Sequence, residues 1–512
     1  MEKAEVDRYN VMLDNIPIEV SIRKEHNEFT LIYSISLPVF EQASMALLEE
    51  LRDRIITTIP VKLETLRDPV ALEETRKKIK AEAMKMLKRF IKEPTPDVLE
   101  YTSSFLADEM LGLGNIEILL RDENLEEVVI NGSKEPVWVY HKKYGWLKTN
   151  VTVNNEAQIE NYASIIGRRV GRQITVLDPL MDAHLITGDR VNATLFPIST
   201  NGNTLTIRKF RRKPWTITDL ILNNTINVES ASFFWLAVQY ELSMIIGGGT
   251  ASGKTTFLNV LMPFIPPNER IISIEDTREL MLPKFLHWVP LTTREPNPEG
   301  KGKVEMLDLL IKSLRMRPDR IVVGEIRRRP EAEVLFEALN TGHAVYSTLH
   351  ANTAEEAFRR LVSPPIELPA ELIQSLPLFG IMFRHRKLRI RRLFEVSELA
   401  GLSEKTNKPD IRKLYSWSAR TDRISKELDS VKVADELNLF TGMTKQEMKS
   451  NLDTKQEILR WMVKNKIETV DDVGKVISLY YTNENEFFKI LERKDAKDVL
   501  LKYAGGSSEN EK

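Results

Sequence analysis

Residues 244–256 read Met-Ile-Ile-Gly-Gly-Gly-Thr-Ala-Ser-Gly-Lys-Thr-Thr, a short apolar strand running into a glycine-rich turn. Within them Gly248, Gly253, Lys254 and Thr255 satisfy the G-x-x-x-x-G-K-[ST] pattern at every position. Each residue type has a physical reason to be there. Glycines let successive backbone N–H groups turn inward around an anion, a path that side chains would obstruct. The wrapped positions run from Gly248 and Gly249 through Thr250, Ala251, Ser252 and Gly253 to Thr256. The helix that starts at Lys254 points its positive end at the phosphates. Lys254 is placed to reach the β- and γ-phosphates, and the Thr255 hydroxyl to ligate Mg²⁺. Phe257, Leu258, Val260 and Leu261 give the helix an apolar face, so the loop sits between a strand and a helix. The stretch predicts an ATP site with Mg²⁺ as its metal.

Working downstream, Arg270 to Ile274 reads as a buried strand that ends in Glu275-Asp276, and Arg320 to Val323 as another that ends in Gly324-Glu325. Carboxylates there sit at the C-terminal edge of a parallel sheet, where ligands bind in open α/β folds. They can hold Mg²⁺ through water or orient an attacking water. An ordinary helix cap is the alternative for each acid. Ala344 to Leu349 forms a third strand, flanked by His343 and His350. A histidine can sense a γ-phosphate by donating a hydrogen bond in either charge state, and a satisfied structural histidine is the alternative. Strand-like and helix-like segments alternate to about residue 400, the pattern of a parallel sheet with covering helices.

The 512 residues exceed one ordinary domain. The sequence divides into an N-terminal helical and mixed region (1–96), an α+β lobe (97–210), a basic linker (211–217), an α/β domain (218–400), a helix-rich extension (401–505) and a tail (506–512). In the lobe, Asn131-Gly132 between two β-branched runs predicts a turn. In the extension, Thr454 and Glu457 predict a capping box before the helix carrying Ile458, Trp461 and Met462. With 73 Lys plus Arg against 74 Asp plus Glu, the net charge is −1, which argues against a nucleic-acid coat. The absence of cysteine excludes disulfides, thiol nucleophiles and thiolate zinc sites. The charged start, MEKAEVDRYN, lacks the apolar core of a signal peptide, and no run approaches the roughly 20 apolar residues of a bilayer span. These features predict a cytoplasmic protein.

Together the motifs resemble one family, the secretion ATPases of type II secretion, type IV pilus and archaellum machines. GGGTASGKTT is similar to its Walker A, RIISIEDTREL to its acidic box, and SLRMRPDRIVVGEIR to its atypical Walker B. TGHAVYSTLHANTAEEA is similar to its histidine box. Upstream, DPLMDAHLITGDRVNATLFP and LTIRKF resemble the end of the family's N-terminal domain and its hinge. The likeness covers residues 97 to 400. It implies a RecA-like ATPase domain, a homohexameric ring with ATP between two lobes, and an integral-membrane platform protein as partner at the inner face of the membrane. By the same likeness Arg190 and Arg208 match positions from which arginines approach the phosphates, with ordinary surface arginines as the alternative. Arg315 and Arg317 are weaker candidates, and Arg327 is a partner for Glu325 or a neighbour. The cysteine-free sequence and its tail look more like the archaeal members, with pilus assembly or secretion ahead of the archaellum motor.

The mechanism expected is ATP hydrolysis, with Glu325 first and Glu275 second as the residue that polarises the attacking water. Lobe closure over the nucleotide would supply a stroke. A nucleic-acid translocase would need a basic, aromatic-lined channel, and the basic runs Arg208–Lys213 and Arg384–Arg392 hold few aromatics. A non-hydrolysing scaffold is opposed by the intact glutamates, and a small-molecule kinase by the lack of an evident acceptor site.

Overall fold

The computed structural model describes residues 4–26, 28–37, 42–59, 65, 68–91, 94–185, 188–210, 213–294, 296, 300–385, 387–388, 390–402 and 408–503. The start of the linker (211–212) and the whole of the tail (506–512) lie outside these residues. The chain forms two compact units, Met1–Arg212 with Asn297–Lys301, and Lys213–Pro296 with Gly302–Lys512.

The first unit is built on a nine-stranded sheet. Its strands are β1 (Ala4–Leu13), β2 (Ile16–Lys24), β3 (Ile32–Ile35), β4 (Leu125–Asn131), β5 (Trp138–His141), β6 (Gly145–Thr149), β7 (Leu180–His184), β8 (Arg190–Thr194) and β9 (Thr204–Arg208). They lie in the order β1-β2-β3-β6-β5-β4-β9-β8-β7. β4 and β5 pair antiparallel, but the turn falls later than Asn131-Gly132: Asn131 is the last residue of β4, paired with Thr204, and Ser133 and Lys134 make the turn.

Residues 1–96 do not stand apart, which corrects the boundary drawn at 96. The β1–β2 hairpin buries Val11, Leu13, Ile18, Val20 and Ile22 in the same core as Val128, Val139 and Ile207. Helices Gln42–Thr58 and Pro69–Phe90 bury Leu51, Ile55, Ile79 and Leu87 against Leu106 and Leu111 of helix Pro96–Leu111. Neither the hairpin nor the helices could bury their apolar faces alone. Asp14, in the two-residue hairpin turn, fastens them together. Its carboxylate accepts hydrogen bonds from Arg76 (3.1 Å), Lys80 (2.7 Å), Ser104 (2.8 Å) and Arg121 (2.9 Å).

The second unit holds the sheet that the phosphate-loop motif announces. Its strands are β10 (Met244–Gly248), β11 (Arg270–Glu275), β12 (His287–Thr292), β13 (Arg320–Val323), β14 (Ala344–Leu349), β15 (Leu378–His385), β16 (Ile390–Leu402), β17 (Pro409–Ser418) and β18 (Arg423–Lys426). They run β12-β11-β13-β14-β10-β15-β16-β17-β18. The six strands from β12 to β15 are parallel, and β16 to β18 extend them antiparallel. Successive side chains alternate between faces, as a strand requires. Met244 and Ile246 join Ile271, Val322 and Tyr346 in one core. Ile245 joins Ile272, Ile274, Ile321, Val323 and Val345 in the other. Burial on both faces explains why these strands read as continuous apolar runs. The unit is α/β, as expected.

The expected domain end at 400 is also corrected, because β16 to β18 carry the sheet on to Lys426. The helices beyond it are not an appendage. Val433, Leu437, Ile458, Met462, Val476, Tyr480 and Phe487 share one core with Phe257 and Leu258 of the loop helix. Trp235 Nε1 donates to Tyr481 Oη at 2.6 Å, and Tyr481 Oη donates to the Phe264 carbonyl at 2.7 Å. The capping box falls elsewhere than predicted. The tetrapeptide TKQE occurs twice, at 444–447 and 454–457. The first copy caps helix Lys445–Lys464 through Thr444 and Glu447, just after Gly442 breaks the previous helix at φ +73°. The second lies inside the helix, where Thr454 has no free terminus to cap. Its Lys455 is wholly buried beside the rings of Trp235 and Tyr480, each 5.3 Å away, and burial brings its pKa down to about 7.

Candidate functional site

The loop after β10 has the backbone that its glycines permit. Gly248 lies at φ +150° and Gly253 at φ +94°. A Cβ on Gly248 would fall 2.4 Å from Ser252 Oγ and 2.5 Å from the Met382 carbonyl oxygen on β15. Ala251, at the exposed crest, holds φ +58°, a costly value for a residue with a side chain. Gly248→Ala is therefore expected to cost ~2–3 kcal/mol of stability and to weaken ADP binding at least tenfold. Thermal melting and an ADP titration check it, and unchanged values in both would contradict this account of the turn.

Helix Lys254–Leu261 starts directly after Gly253, so its free N–H groups face the loop. Lys254 is only 9% exposed and donates to the Gly249 carbonyl at 3.2 Å. Burial depresses its pKa, while Glu325 and Glu279 act in the opposite direction. The hydroxyl of Ser252 is buried without a protein partner. Thr255 and Thr256 are half-buried on the first turn, and Thr250 is exposed.

Three further groups reach the same edge because β11, β13 and β14 run parallel to β10 and end beside it. Glu275, the last residue of β11, is 2% exposed. Its Oε1 accepts from the backbone N–H groups of Glu279 (2.9 Å) and Leu280 (3.1 Å), whereas Oε2 is buried without a partner. Burial pushes its pKa up to about 7, against the pull of those two N–H groups. Glu325, two residues beyond β13, keeps 21% of its side chain exposed. Arg327 bridges the acids, donating Nε to Glu325 at 2.8 Å and Nη1 to Asp276 at 2.6 Å. The residue weighed as a partner of Glu325 thus serves Asp276 as well.

The raised pKa of Glu275 has a stability consequence whose sign follows from linkage. Its folded value lies above the ordinary 4.5, so its contribution is full below about 4.5 and is lost as pH rises through about 7. At pH 8 the buried charge costs up to ~3 kcal/mol. Glu275→Gln, which keeps an acceptor for the two N–H groups, is expected to stabilise the protein at pH 8 and to lose that advantage at pH 4.5. Denaturant unfolding at the two pH values tests this; an equal effect at both would contradict it.

The two histidines part company. His350 follows β14 at the loop's edge, where burial and the Lys254 charge lower its pKa and Glu325 opposes them. The imidazole is therefore held neutral near pH 7. His343 precedes β14, at the opposite end of a strand of six residues, about 20 Å long. Its Nδ1 lies 3.1 Å from the Ala338 carbonyl and 3.3 Å from Thr341 Oγ1, at the end of helix Arg329–Asn340. The expectation that His343 binds nucleotide alongside the loop is thus corrected: it caps a helix end.

Arg190 and Arg208 belong to the first unit, where β8 and β9 pair them directly opposite one another. Residues so paired share a face. Arg208 is also 3.7 Å from Glu127. Arg315 and Arg317 are exposed near the start of β13, away from the end that leads to Glu325. One residue at the loop was not singled out from the sequence. Arg391 on β16 donates Nε to the Ala251 carbonyl at 3.1 Å. It is hidden in the run Arg384–Arg392, and only the β15–β16 pairing shows which of its cations faces the loop.

The family described as "Type II/IV secretion system protein" matches residues 184–383, which contain the loop, both acids and His350. An uncharacterized protein of Methanocaldococcus jannaschii is 38% identical over 332 residues, 64% of this chain and 60% of that protein's length. The type IV secretion system protein PtlH of Bordetella pertussis is 33% identical over 265 residues, 47% of this chain and 77% of PtlH. Among solved structures, the Legionella pneumophila ATPase DotB is 18% identical, with a TM-score of 0.42 over 76% of this chain and 94% of DotB. On the match across the phosphate-loop unit and the likeness to PtlH, the chain belongs to the type II/IV secretion system protein family.

Proposed function

We propose that this chain hydrolyses ATP and that a homohexamer of it drives pilus-type assembly or secretion through an integral-membrane platform protein. The observation that carries the reading is the convergence of Lys254, Glu275, Glu325 and His350 at one edge of one parallel sheet. A chance glycine turn would not gather a buried cation, two acids and a neutral imidazole where phosphates bind.

The residues fit a nucleotide and Mg²⁺. The glycine turn leaves backbone N–H groups free of side chains, and the buried Ser252 Oγ and Glu275 Oε2 have no partner among the described residues. Lys254 grips the β- and γ-phosphates, and the N–H groups from Gly249 to Thr256 wrap them. Thr255, with Glu325 through water, would hold Mg²⁺; when bound, that ion neutralises charge building on the phosphate oxygens. Glu325 orients and polarises the attacking water, Glu275 supports it, and Arg327 with Asp276 keeps Glu325 in place. His350, neutral at pH 7, donates a hydrogen bond toward the γ-phosphate. Arg190 and Arg208 carry guanidinium forks suited to phosphate oxygens, the role proposed for them here.

The α/β unit that carries the phosphate loop is then the core of the motor, and the protein works in the cytoplasm at the inner membrane face. Among the described residues, no helix is long and apolar enough to cross a membrane. Light scattering of the purified protein with Mg²⁺ and a slowly hydrolysed ATP analogue tests the ring. A particle of six subunits supports it, and a monomer at every concentration and nucleotide state overturns it.

A further inference from the structure

The acidic half of the site lies to one side of the loop. Glu275, Glu325 and His350 leave β11, β13 and β14, all on the same flank of β10. Water activation and metal chemistry belong at the γ-phosphate, so that end of a bound nucleotide faces this flank. The rest of the nucleotide must then leave across the other flank, where β15 and β16 stand.

Arg391 waits on that flank. Its stem passes Gly253 so closely that a Cβ there would sit 3.4 Å from Arg391 Cδ. Nε is engaged by the Ala251 carbonyl, which fixes the guanidinium against the loop. The side chain is exposed, and neither terminal nitrogen has a hydrogen bond among the described residues. Its neighbour Arg392 is different: buried, it is committed to Asp422 (2.7 and 2.8 Å) and to the Asn223 carbonyl (3.1 Å). Arg384 stands directly opposite Arg391 on β15. A guanidinium held by Nε, with four N–H donors left on its two terminal nitrogens, is a ready donor to phosphate and ribose oxygens.

We propose that Arg391 is a nucleotide-binding residue, gripping the α-phosphate and ribose from the flank opposite the catalytic acids. The inference rests on the reading of the loop as an ATP site. It makes the β15–β16 hairpin, not only the loop, part of what distinguishes a nucleoside polyphosphate from a bare one.

The test compares Arg391→Ala with the wild type, titrating ADP and, separately, inorganic pyrophosphate, which lacks ribose. The expected result is ADP binding weakened about tenfold and pyrophosphate binding changed less than twofold, with the KM for ATP raised and kcat preserved. Arg391→Lys, which cannot fork, is expected to recover only part of the loss. Equal weakening of both ligands would make Arg391 a prop for the loop and overturn the proposal, as would no weakening of either. Lys254→Ala separates the two readings: if ADP binds neither the wild type nor this variant, the ATP site itself fails. If only Lys254→Ala loses ADP, the site stands and the role of Arg391 falls.

Discussion

Lys254→Ala is expected to weaken ATP and ADP binding by about 10²–10³-fold while leaving the fold intact. The two effects have separate origins. On the proposed reading, the ammonium of the complex would make charge-assisted hydrogen bonds to two phosphates, each worth roughly 1.5–3 kcal/mol, so losing them would cost the ligand several kcal/mol. Without ligand, the same charge is a burden. It is 9% exposed, its pKa is depressed by burial, and its one hydrogen bond is a 3.2 Å contact to a loop carbonyl. Removing it should leave the melting temperature unchanged or slightly higher. Calorimetric titration with ADP beside a thermal melt reads both; a variant that binds normally, or that unfolds, contradicts the assignment.

Glu325→Gln is expected to lower the rate of hydrolysis by about 10²–10³-fold with nucleotide affinity kept within a few-fold. The choice between the two strand-end acids rests on how each is held. Glu275 is buried, with one oxygen fixed by two backbone N–H groups and a pKa near 7, so at neutral pH it is an incomplete anion. Glu325 is partly open to solvent and lies where it acts electrostatically on both Lys254 and His350. Glutamine can still accept the hydrogen bond from Arg327, so the substitution removes charge while sparing the local packing. If Glu275→Gln abolished turnover and Glu325→Gln did not, the roles would be reversed.

The phosphate loop was legible because its chemistry is local: eight residues carry the glycines, the lysine and the hydroxyl. The strand-end acids were legible for a related reason, since buried parallel strands read as apolar runs and the residue that ends each run stands at the binding edge. What escaped depends on pairings far apart in sequence. The β1–β2 hairpin turns at Asp14-Asn15, yet nothing local says that β3 will pair in parallel with β6 more than a hundred residues on. The C-terminal helices looked like an extension because their polar faces dominate their composition; their apolar faces belong to the core around Phe257. The strand between His343 and His350 was itself legible, but what His343 does at its own end, against the Ala338 carbonyl and Thr341, depends on where the preceding helix stops. Arg391 is one arginine in a basic run, and the register of β16 on β15 alone brings it to the loop.

The central claim, that this edge of the sheet hydrolyses ATP, is met most directly by steady-state phosphate release from the purified full chain with Mg²⁺-ATP. The assay is run at protein concentrations spanning assembly, with Lys254→Ala in parallel. The account predicts turnover in the wild type, rising as rings assemble and falling to background in the variant. Assembled rings that bind ATP and release no phosphate would contradict it.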